Sequence, residues 1–297
     1  MLAGEDGIQL AEGARTGAAG SEMGLDLKDD ETSVRNATLR KWNIGMAVLH
    51  FIVFVVLLGA AVSVDSFKDF KLPLVLSFQK LEDAGTGDEF LTTSQRVIGR
   101  VRVGLMVPFF SLMSSMAHTY MAIRFDQYIS MVNKGYNAIR WVEYSFSSTL
   151  MIWIIAMFFG IVDIMTLCLL SALNASMIFF GHVFEQDNYA RTEGQPVKWL
   201  NFWFGSFCGA WPWIAIFTSF LGSGETVDIP GFVYGILVTY LIFFNCFALN
   251  SFLGARRKGP WKNYRYTELI YMVLSLVAKA TLSFIVFGGL NSPNEFN

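Results

Sequence analysis

Seven long apolar segments dominate the sequence and constrain its fold more than any other feature. Each has about the 20 residues that an α-helix needs to cross the hydrocarbon core of a bilayer. Helices are required there because lipid offers the backbone no hydrogen-bond partners. The sequence therefore predicts an all-α membrane protein with seven transmembrane helices, at residues 42–63, 99–122, 135–160, 163–183, 199–221, 230–252 and 264–289.

Composition and charge support a membrane protein. Hydrophobic residues make up 54% of the chain and charged residues 15%, which is too apolar for an ordinary soluble domain. The acidic residues gather in the N-terminal tail and the first long loop, so nucleic acid is not an expected partner. Residues 1–41 are polar and acidic, without the apolar core of a cleavable signal peptide, and are predicted to form a disordered cytoplasmic tail. The three cysteines, Cys168, Cys208 and Cys246, lie inside apolar segments as small core residues.

The basic residues that flank the segments predict the orientation. With the N-terminus inside, all inner loops carry lysine or arginine, whereas the short outer segments 161–163, 222–229 and 290–297 carry none. The basic residues of the long loop 64–98 are diluted by acidic ones. We therefore expect a multi-pass protein of the cell membrane with a cytoplasmic N-terminus and a C-terminal tail, 291–297, outside.

The first outer loop, 64–98, has internal structure of its own. Residues 74–80 and 90–94 alternate as strands do, and the glycine-containing segment 83–88 between them has turn composition. The sequence therefore predicts a small extracellular β-hairpin. Its unpaired edge would favour pairing with a second copy, so a homodimer is expected.

Lys279 is a lone charge near the middle of the seventh apolar segment. A bare ammonium at the bilayer centre costs about 2.5–3.5 kcal/mol. Its Cα lies about 16 Å from Leu290 at the outer end, too far for the side chain to reach the surface. A group inside the protein must therefore accommodate it: a carboxylate, a bound anion, a carbonyl compound that forms a Schiff base, or the water-filled cavity of a transporter.

Three further ionisable residues are predicted to lie at one depth in the inner half of the membrane. At about 1.5 Å per residue, His50 lies about 12 Å above the inner end of its helix, His118 about 9–12 Å and Glu143 about 14 Å. Because Cα–Cβ bonds tilt toward the helix N-terminus, the amine of Lys279 points toward this layer. Clustering of such rare groups favours a functional site.

Hydroxyl side chains accompany these groups. Ser275 lies one turn before Lys279, and Ser114 lies one turn before the histidine of the second segment. Other interpretations fit the same residues: Glu143 can pair with Arg140, and the two histidines can be hydrogen-bonded core residues. A zinc site is a weaker alternative because the sequence has no ligand-spacing motif.

Aromatic and sulfur-containing residues of the third, fifth and sixth segments are available around Lys279. An aromatic-lined apolar slot suits a long, rigid polyene, although the same pattern is common in core packing and on membrane-facing surfaces. These residues are Trp141, Tyr144, Met151, Trp203, Phe207, Trp211, Tyr240, Phe243, Phe244 and Phe247.

Five short motifs carry a family resemblance. They are Ser275-Leu-Val-Ala-Lys279, Trp141-Val-Glu143-Tyr-Ser-Phe-Ser, Ser114-Ser-Met-Ala-His118, Asn174 in the fourth segment and Phe243-Phe-Asn-Cys in the sixth. Together they resemble the heliorhodopsins over about residues 40–290. The inverted topology and the long first outer loop are similar to that family as well.

The resemblance implies a rhodopsin-like seven-helix bundle, residues 42–290, that binds all-trans retinal. Lys279 would carry retinal as a protonated Schiff base with Glu143 as counterion, while Ser275 and Ser114 tune its hydrogen bonding. His50 and His118 would belong to an inner cavity that accepts the released proton. It also implies a slow photocycle, a homodimer and a retinal pocket formed by Trp141, Tyr144, Ser147, Met151, Asn174, Trp203, Phe207, Tyr240, Phe243 and Phe244.

Light sensing is the favoured function. A pump needs a second proton relay, and the outer halves of the segments contain no carboxylate that could serve as one. The alternatives are a light-gated proton channel, conducting through hydroxyls such as Ser148 and Thr149, and a retinal-independent solute transporter. An enzyme is not expected because no catalytic triad or metal motif is present. The basic residues Arg256, Arg257 and Lys258 would contact anionic lipid or a cytoplasmic signalling protein.

Overall fold

The computed structural model describes residues 35–83, 89–189, 191–192, 194–222 and 229–291. Within these residues the chain forms nine α-helices, a short 3₁₀ helix at Gly259–Lys262 and one two-stranded sheet. The strands are β1 (Lys71–Asp83) and β2 (Glu89–Arg102). The helices are α1 (Asn36–Ser63), α2 (Asp65–Asp69), α3 (Val103–Ile123), α4 (Phe125–Asn133), α5 (Ala138–Phe158), α6 (Ile164–Tyr189), α7 (Leu200–Gly222), α8 (Gly231–Arg256) and α9 (Tyr264–Leu290).

Seven of the described helices are long, and each corresponds to one predicted apolar segment. Six of them, α1 and α5 to α9, are long and apolar enough to cross a membrane. The helix α3 is not in that set, because it carries a run of polar residues that lower its hydropathy, including Ser111, Ser114, Ser115 and His118. The mainly helical architecture with several candidate membrane spans agrees with the prediction, and a seventh crossing by α3 stays a prediction.

Several helix boundaries differ from those predicted. The helix α1 begins at Asn36, so residues 36–41 belong to it rather than to the predicted tail. The helices α6 and α8 extend to Tyr189 and Arg256, beyond the predicted ends at 183 and 252. These extensions contain polar residues, which hydropathy excludes although helices accept them readily. Residues 1–34 and 292–297, predicted to be tails, and the turn residues 84–88 lie outside the described residues.

The predicted hairpin is present as an antiparallel pair of strands. The register runs from Lys71 opposite Arg102 to Asp83 opposite Glu89, with an irregularity at Leu74 and Val75. Both strands are longer than predicted, and residues 99–102 lie in β2 instead of the helix that follows. The β-branched and alternating residues of this stretch explain why it pairs as a strand.

The connection between α5 and α6 holds the hairpin in place. The N–H of Val75 donates to the carbonyl of Val162 at 3.0 Å, and the N–H of Ser77 donates to Asp163 Oδ2 at 2.9 Å. The other carboxylate oxygen of Asp163 accepts from the N–H of Thr166 at 3.0 Å, which caps the N-terminus of α6. The Thr166 N–H is the main cause that lowers the pKa of Asp163 from its ordinary value of 3.8.

Replacing Asp163 with alanine is expected to lower the free energy of unfolding by about 1 kcal/mol, because it removes this helix cap. The folded-state pKa lies below the unfolded one, so the stabilisation is complete above pH 3.8 and is lost as the pH falls through the folded pKa. Unfolding of both proteins in detergent across this pH range measures the difference. Asp69→Ala, an exposed carboxylate nearby, is the control, and a difference that does not depend on pH would contradict the prediction.

The helix α1 has one face buried in the bundle and one exposed apolar face. Its buried residues repeat every three, four or seven positions and include the polar residues Asn43 and His50. Its other face exposes large apolar side chains such as Val48 and Phe51. Exposed apolar surface of this extent is what a lipid-facing helix requires. The two polar residues therefore point into the bundle, where the neighbouring helix α3 contributes His118.

Candidate functional site

Lys279 lies in α9 with only 3% of its surface exposed, and its amine has three hydrogen-bond partners. The Nζ atom is 2.9 Å from Glu143 Oε1, 2.5 Å from Ser114 Oγ and 3.0 Å from Ser275 Oγ. The ring of Tyr144 contributes a cation–π contact, with its centroid 5.2 Å from Nζ. Among the possibilities for this lysine, the structure therefore provides a carboxylate.

Ser114 links the two charges. Its hydroxyl accepts from Lys279 and donates to Glu143 Oε1 at 2.7 Å. The side chains of Lys279 and Glu143 are 4% and 7% exposed, so the ion pair is buried. Breaking such a pair by removing one partner costs about 3–5 kcal/mol, because the other charge remains buried without compensation.

The positions of these residues follow from helix geometry. Ser275 lies one turn before Lys279 on α9, and side chains four residues apart on a helix are neighbours. Glu143 lies on α5, which packs against α3, and α3 contributes Ser114. The hydrogen-bond partners of the Lys279 amine thus come from three helices, α3, α5 and α9.

The two predicted histidines lie beside this ion pair. The rings of His50 and His118 are stacked, with centroids 5.8 Å apart and planes 12° apart. His118 Nδ1 is 2.9 Å from Asn43 Oδ1, whereas both ring nitrogens of His50 lack a hydrogen-bond partner in the described part of the chain. Both histidines interact electrostatically with Lys279. They form a polar compartment next to the amine.

A mainly apolar cavity extends from Lys279 between α5, α6, α7, α8 and α9. The space free of protein atoms is about 890 Å³, part of it open to the surroundings. Five residues predicted for the retinal pocket line it: Trp141, Tyr144, Ser147, Met151 and Phe244.

Three other predicted pocket residues lie close to the cavity without lining it. Asn174 donates to Ser148 Oγ at 2.8 Å, and Ser148 itself lines the cavity. Tyr240 is fully buried and donates its hydroxyl to the carbonyl of Ala278, next to Lys279. Phe243 packs against the main hydrophobic core and against the ring of Tyr240. These three residues thus form a layer of side chains outside the residues that line the cavity.

Trp203 and Phe207 do not belong to the cavity, which corrects the prediction. They are 62% and 63% exposed and lie one turn apart on the outward face of α7. The residues of α7 that line the cavity are Phe202, Gly205 and Ser206. Aromatic residues occur all around α7, so hydropathy alone did not distinguish its inner and outer faces.

The helix α6 contributes cavity residues that sequence reasoning missed: Met177, Ile178 and Gly181. A Cβ atom at Gly181 would lie 2.6 Å from the Trp141 ring, closer than packing allows. The glycine therefore lets the indole approach α6 closely and form one wall of the cavity. A lone glycine in a helix of large residues was the signal for this close approach.

A second buried charge cluster lies toward the N-termini of α5 and α9. Arg140 forms ion pairs with Glu185, at 2.5 Å, and with Glu268. Trp141, whose ring lines the cavity, donates its indole N–H to Glu185 at 2.6 Å. The alternative in which Glu143 pairs with Arg140 is therefore wrong. Sequence reasoning missed Glu185 because the predicted fourth span ended at 183.

The described residues contain no group of three or more histidine, cysteine or carboxylate side chains arranged to hold a metal ion. The zinc alternative therefore has no support from this part of the chain. What the site offers instead is a buried amine with an acidic partner, at the wall of an aromatic cavity.

Comparison with known proteins is consistent with this chemistry. The family model for heliorhodopsins matches residues 39–290, which include almost all of the nine helices and both strands. No curated protein matches the sequence. Heliorhodopsins are retinal-binding membrane proteins and are generally photoreceptors rather than enzymes. Because the match covers most of the chain, this protein belongs to the heliorhodopsin family.

Proposed function

We propose that this protein is a light sensor in which Lys279 carries all-trans retinal as a protonated Schiff base and Glu143 is the counterion. The observation that carries the proposal is the buried Lys279 amine, 2.9 Å from Glu143, at the wall of an aromatic cavity. A lysine amine can condense with a carbonyl compound, and a protonated Schiff base requires a nearby negative charge to persist in a membrane interior.

The residues of the cavity fit a long apolar ligand attached at Lys279. The lining is mostly aromatic and aliphatic, and its polar residues include Ser147 and Ser275. Trp141 and Met151 offer flat and adaptable apolar surfaces. Retinal held there would supply absorption of visible light and a light-driven isomerisation, and Lys279 and Glu143 are the residues whose separation this would change.

In the dark, Glu143 and Ser114 hold a positive charge at Nζ. Loss of the proton would leave the Glu143 carboxylate buried without a cation, which is strongly unfavourable at low dielectric. Once Nζ moves away from the carboxylate, this stabilisation weakens. The imidazoles of His50 and His118, stacked in the adjacent polar compartment, are the groups that would accept the proton.

Trp141 provides a path by which the cavity influences the inner end of the bundle. Its ring lines the cavity and its N–H binds Glu185, which pairs with Arg140. A shift of this ring would alter the hydrogen bonds of the charge cluster. We propose that the resulting rearrangement of α5, α6 and α9 at the cytoplasmic face is the signal to a partner protein.

The proposed function includes seven membrane crossings with the N-terminus inside and a homodimer. The position of α3 between α1 and α5, with which it makes extensive contacts, supports the seventh crossing. The hairpin exposes apolar residues such as Leu81 and Leu91, and β2 has a strand partner on one side only within the described part of the chain. Such an edge supports pairing with a second copy.

Sensing is favoured over pumping and over proton conduction. Within the described part of the chain, the strongly buried carboxylates besides Glu143 are Glu185 and Glu268, both on the inner side of the site in the proposed orientation. The hydroxyls of Ser148 and Thr149 donate to carbonyls of their own helix, at 2.6 and 2.7 Å, and accept from Asn174. They are therefore occupied and do not form a free proton wire. Family membership removes the support for a retinal-independent transporter.

Voltage-clamp recording under illumination tests this function. Cells expressing the retinal-loaded protein are expected to show no sustained photocurrent at any holding potential, because the residues that the structure describes contain no outward proton relay. In parallel, flash spectroscopy is expected to show a long-lived state with an unprotonated nitrogen. A steady current without a proton gradient would indicate a pump, and a current that reverses at the proton equilibrium potential would indicate a channel. Lys279→Ala serves as the light-insensitive control.

A further inference from the structure

Asn43 is a fully buried amide that the proposed mechanism has not yet used. It lies on α1, two turns before His50 and on the same buried face. Its Oδ1 atom is 2.9 Å from Nδ1 of His118 on α3. An uncharged amide in an apolar helix is costly unless all its polar atoms are bonded, so its partners are informative.

The hydrogen bonds of Asn43 determine which way its amide faces. One N–H of its Nδ2 donates to the carbonyl of Leu39 at 3.0 Å, and a carbonyl can only accept. The amide nitrogen therefore faces Leu39, and the amide oxygen faces His118.

With the amide nitrogen directed away, Oδ1 of Asn43 faces His118. An amide oxygen can only accept, so Nδ1 of His118 must carry a hydrogen. A neutral imidazole has one N–H and one bare nitrogen, which leaves Nε2 unprotonated. The tautomer of this histidine is thus set by the orientation of the Asn43 amide, which the carbonyl of Leu39 fixes.

We infer that Asn43 is a positioning residue that holds neutral His118 in its Nδ1-protonated form and makes Nε2 the atom that receives the proton released at Lys279. The acceptor role rests on the proposed function; the tautomer does not. In this step the N–H bond at Nζ breaks, the lone pair of Nε2 forms the new N–H bond, and Nδ1–H keeps its bond to Oδ1. Asn43 thereby also stabilises the resulting imidazolium.

The tautomer of His118 is measurable by ¹⁵N NMR of the histidine-labelled protein in lipid, in the dark. The chain contains three histidines, so signals can be assigned with single His50 and His182 variants. In the wild type, neutral His118 is expected to be protonated at Nδ1 and bare at Nε2. Asn43→Leu keeps the size of the side chain but cannot accept, so the tautomer ratio is expected to move toward Nε2–H by roughly five- to tenfold.

Two matched variants separate this effect from general damage to the fold. Asn250→Leu removes another buried amide, on α8, and is expected to leave the His118 signals unchanged. Asn43→Asp keeps an accepting oxygen and is expected to keep the Nδ1-protonated form. If Asn43→Leu does not fold, the wild type and Asn43→Asp spectra still decide the question.

An Nε2-protonated His118 in the wild type, or an unchanged tautomer ratio in Asn43→Leu, would overturn the inference. Flash spectroscopy of the retinal-loaded wild type tests the proposed function separately. If no unprotonated nitrogen forms after the flash, the proton-transfer mechanism fails even when the NMR spectra show the expected tautomer. The two failures are therefore distinguishable.

Discussion

Replacing Lys279 with alanine is expected to abolish the visible absorption band of protein supplied with all-trans retinal. The cavity remains, but the amine that forms the covalent bond is lost, so any bound retinal would absorb as the free aldehyde in the near ultraviolet. Absorption spectra of purified wild type and variant, recorded side by side, measure this effect. Acid denaturation of the wild type provides a second readout, because a covalently linked chromophore stays with the chain.

The alanine variant also leaves Glu143 buried without its cation, which is expected to cost about 3–5 kcal/mol of stability. The double variant Lys279→Ala/Glu143→Gln removes both charges and is the matched control for folding. It should unfold closer to the wild type and still lack the visible band. A visible band that survives in either variant would show that retinal is attached elsewhere. If well-folded wild type supplied with retinal shows no visible band, retinal binding at this site is refuted.

Replacing Glu143 with glutamine is expected to shift the absorption of the retinal-loaded protein at neutral pH from the visible to the near ultraviolet. The amide cannot compensate a positive charge on Nζ, and the remaining partners, Ser114 and Ser275, are neutral hydroxyls. The nitrogen therefore releases its proton in the variant. A pH titration followed by absorption should recover the visible band only in acid.

Two variants provide controls for this experiment. Glu143→Asp keeps a carboxylate and is expected to retain the visible band at neutral pH, with a shift in its maximum. Asp126→Asn removes an exposed carboxylate on α4, away from the site, and should leave the spectrum unchanged. If Glu143→Gln kept a visible band at neutral pH, another group would have to serve as counterion.

The helices could be predicted from the sequence because a helix surrounded by lipid needs a long apolar segment. Such segments can be recognised without knowing any tertiary contact. The depth of a residue along a helix follows from a fixed rise, which is why Lys279, Glu143 and the two histidines could be expected to share a layer. The structure brings them together with Ser114 and Ser275. The depth of each residue along its own helix was thus the predictable part of the site.

The rest depended on contacts between helices. The sequence does not reveal which face of α7 turns inward, so Trp203 and Phe207 were misassigned although Phe202 lies next to them. Glu185 lies beyond the apolar part of α6, and for its partner Arg140 the sequence suggested only Glu143, as an alternative interpretation. A charge near a predicted helix end has several possible partners, and the packing angle of the helices selects one of them.

Trp141 touches the cavity with its ring and the charge cluster with its N–H, so one side chain serves two purposes. A substitution that removes the Trp141 indole changes the cavity wall and the hydrogen bonding of Glu185 together. In the proposed mechanism, absorption and signal output would therefore be coupled at this position. Evolution toward a different light environment would have to use cavity residues such as Met151 and Ile178, which contact the ligand space from apolar positions outside the ionic network.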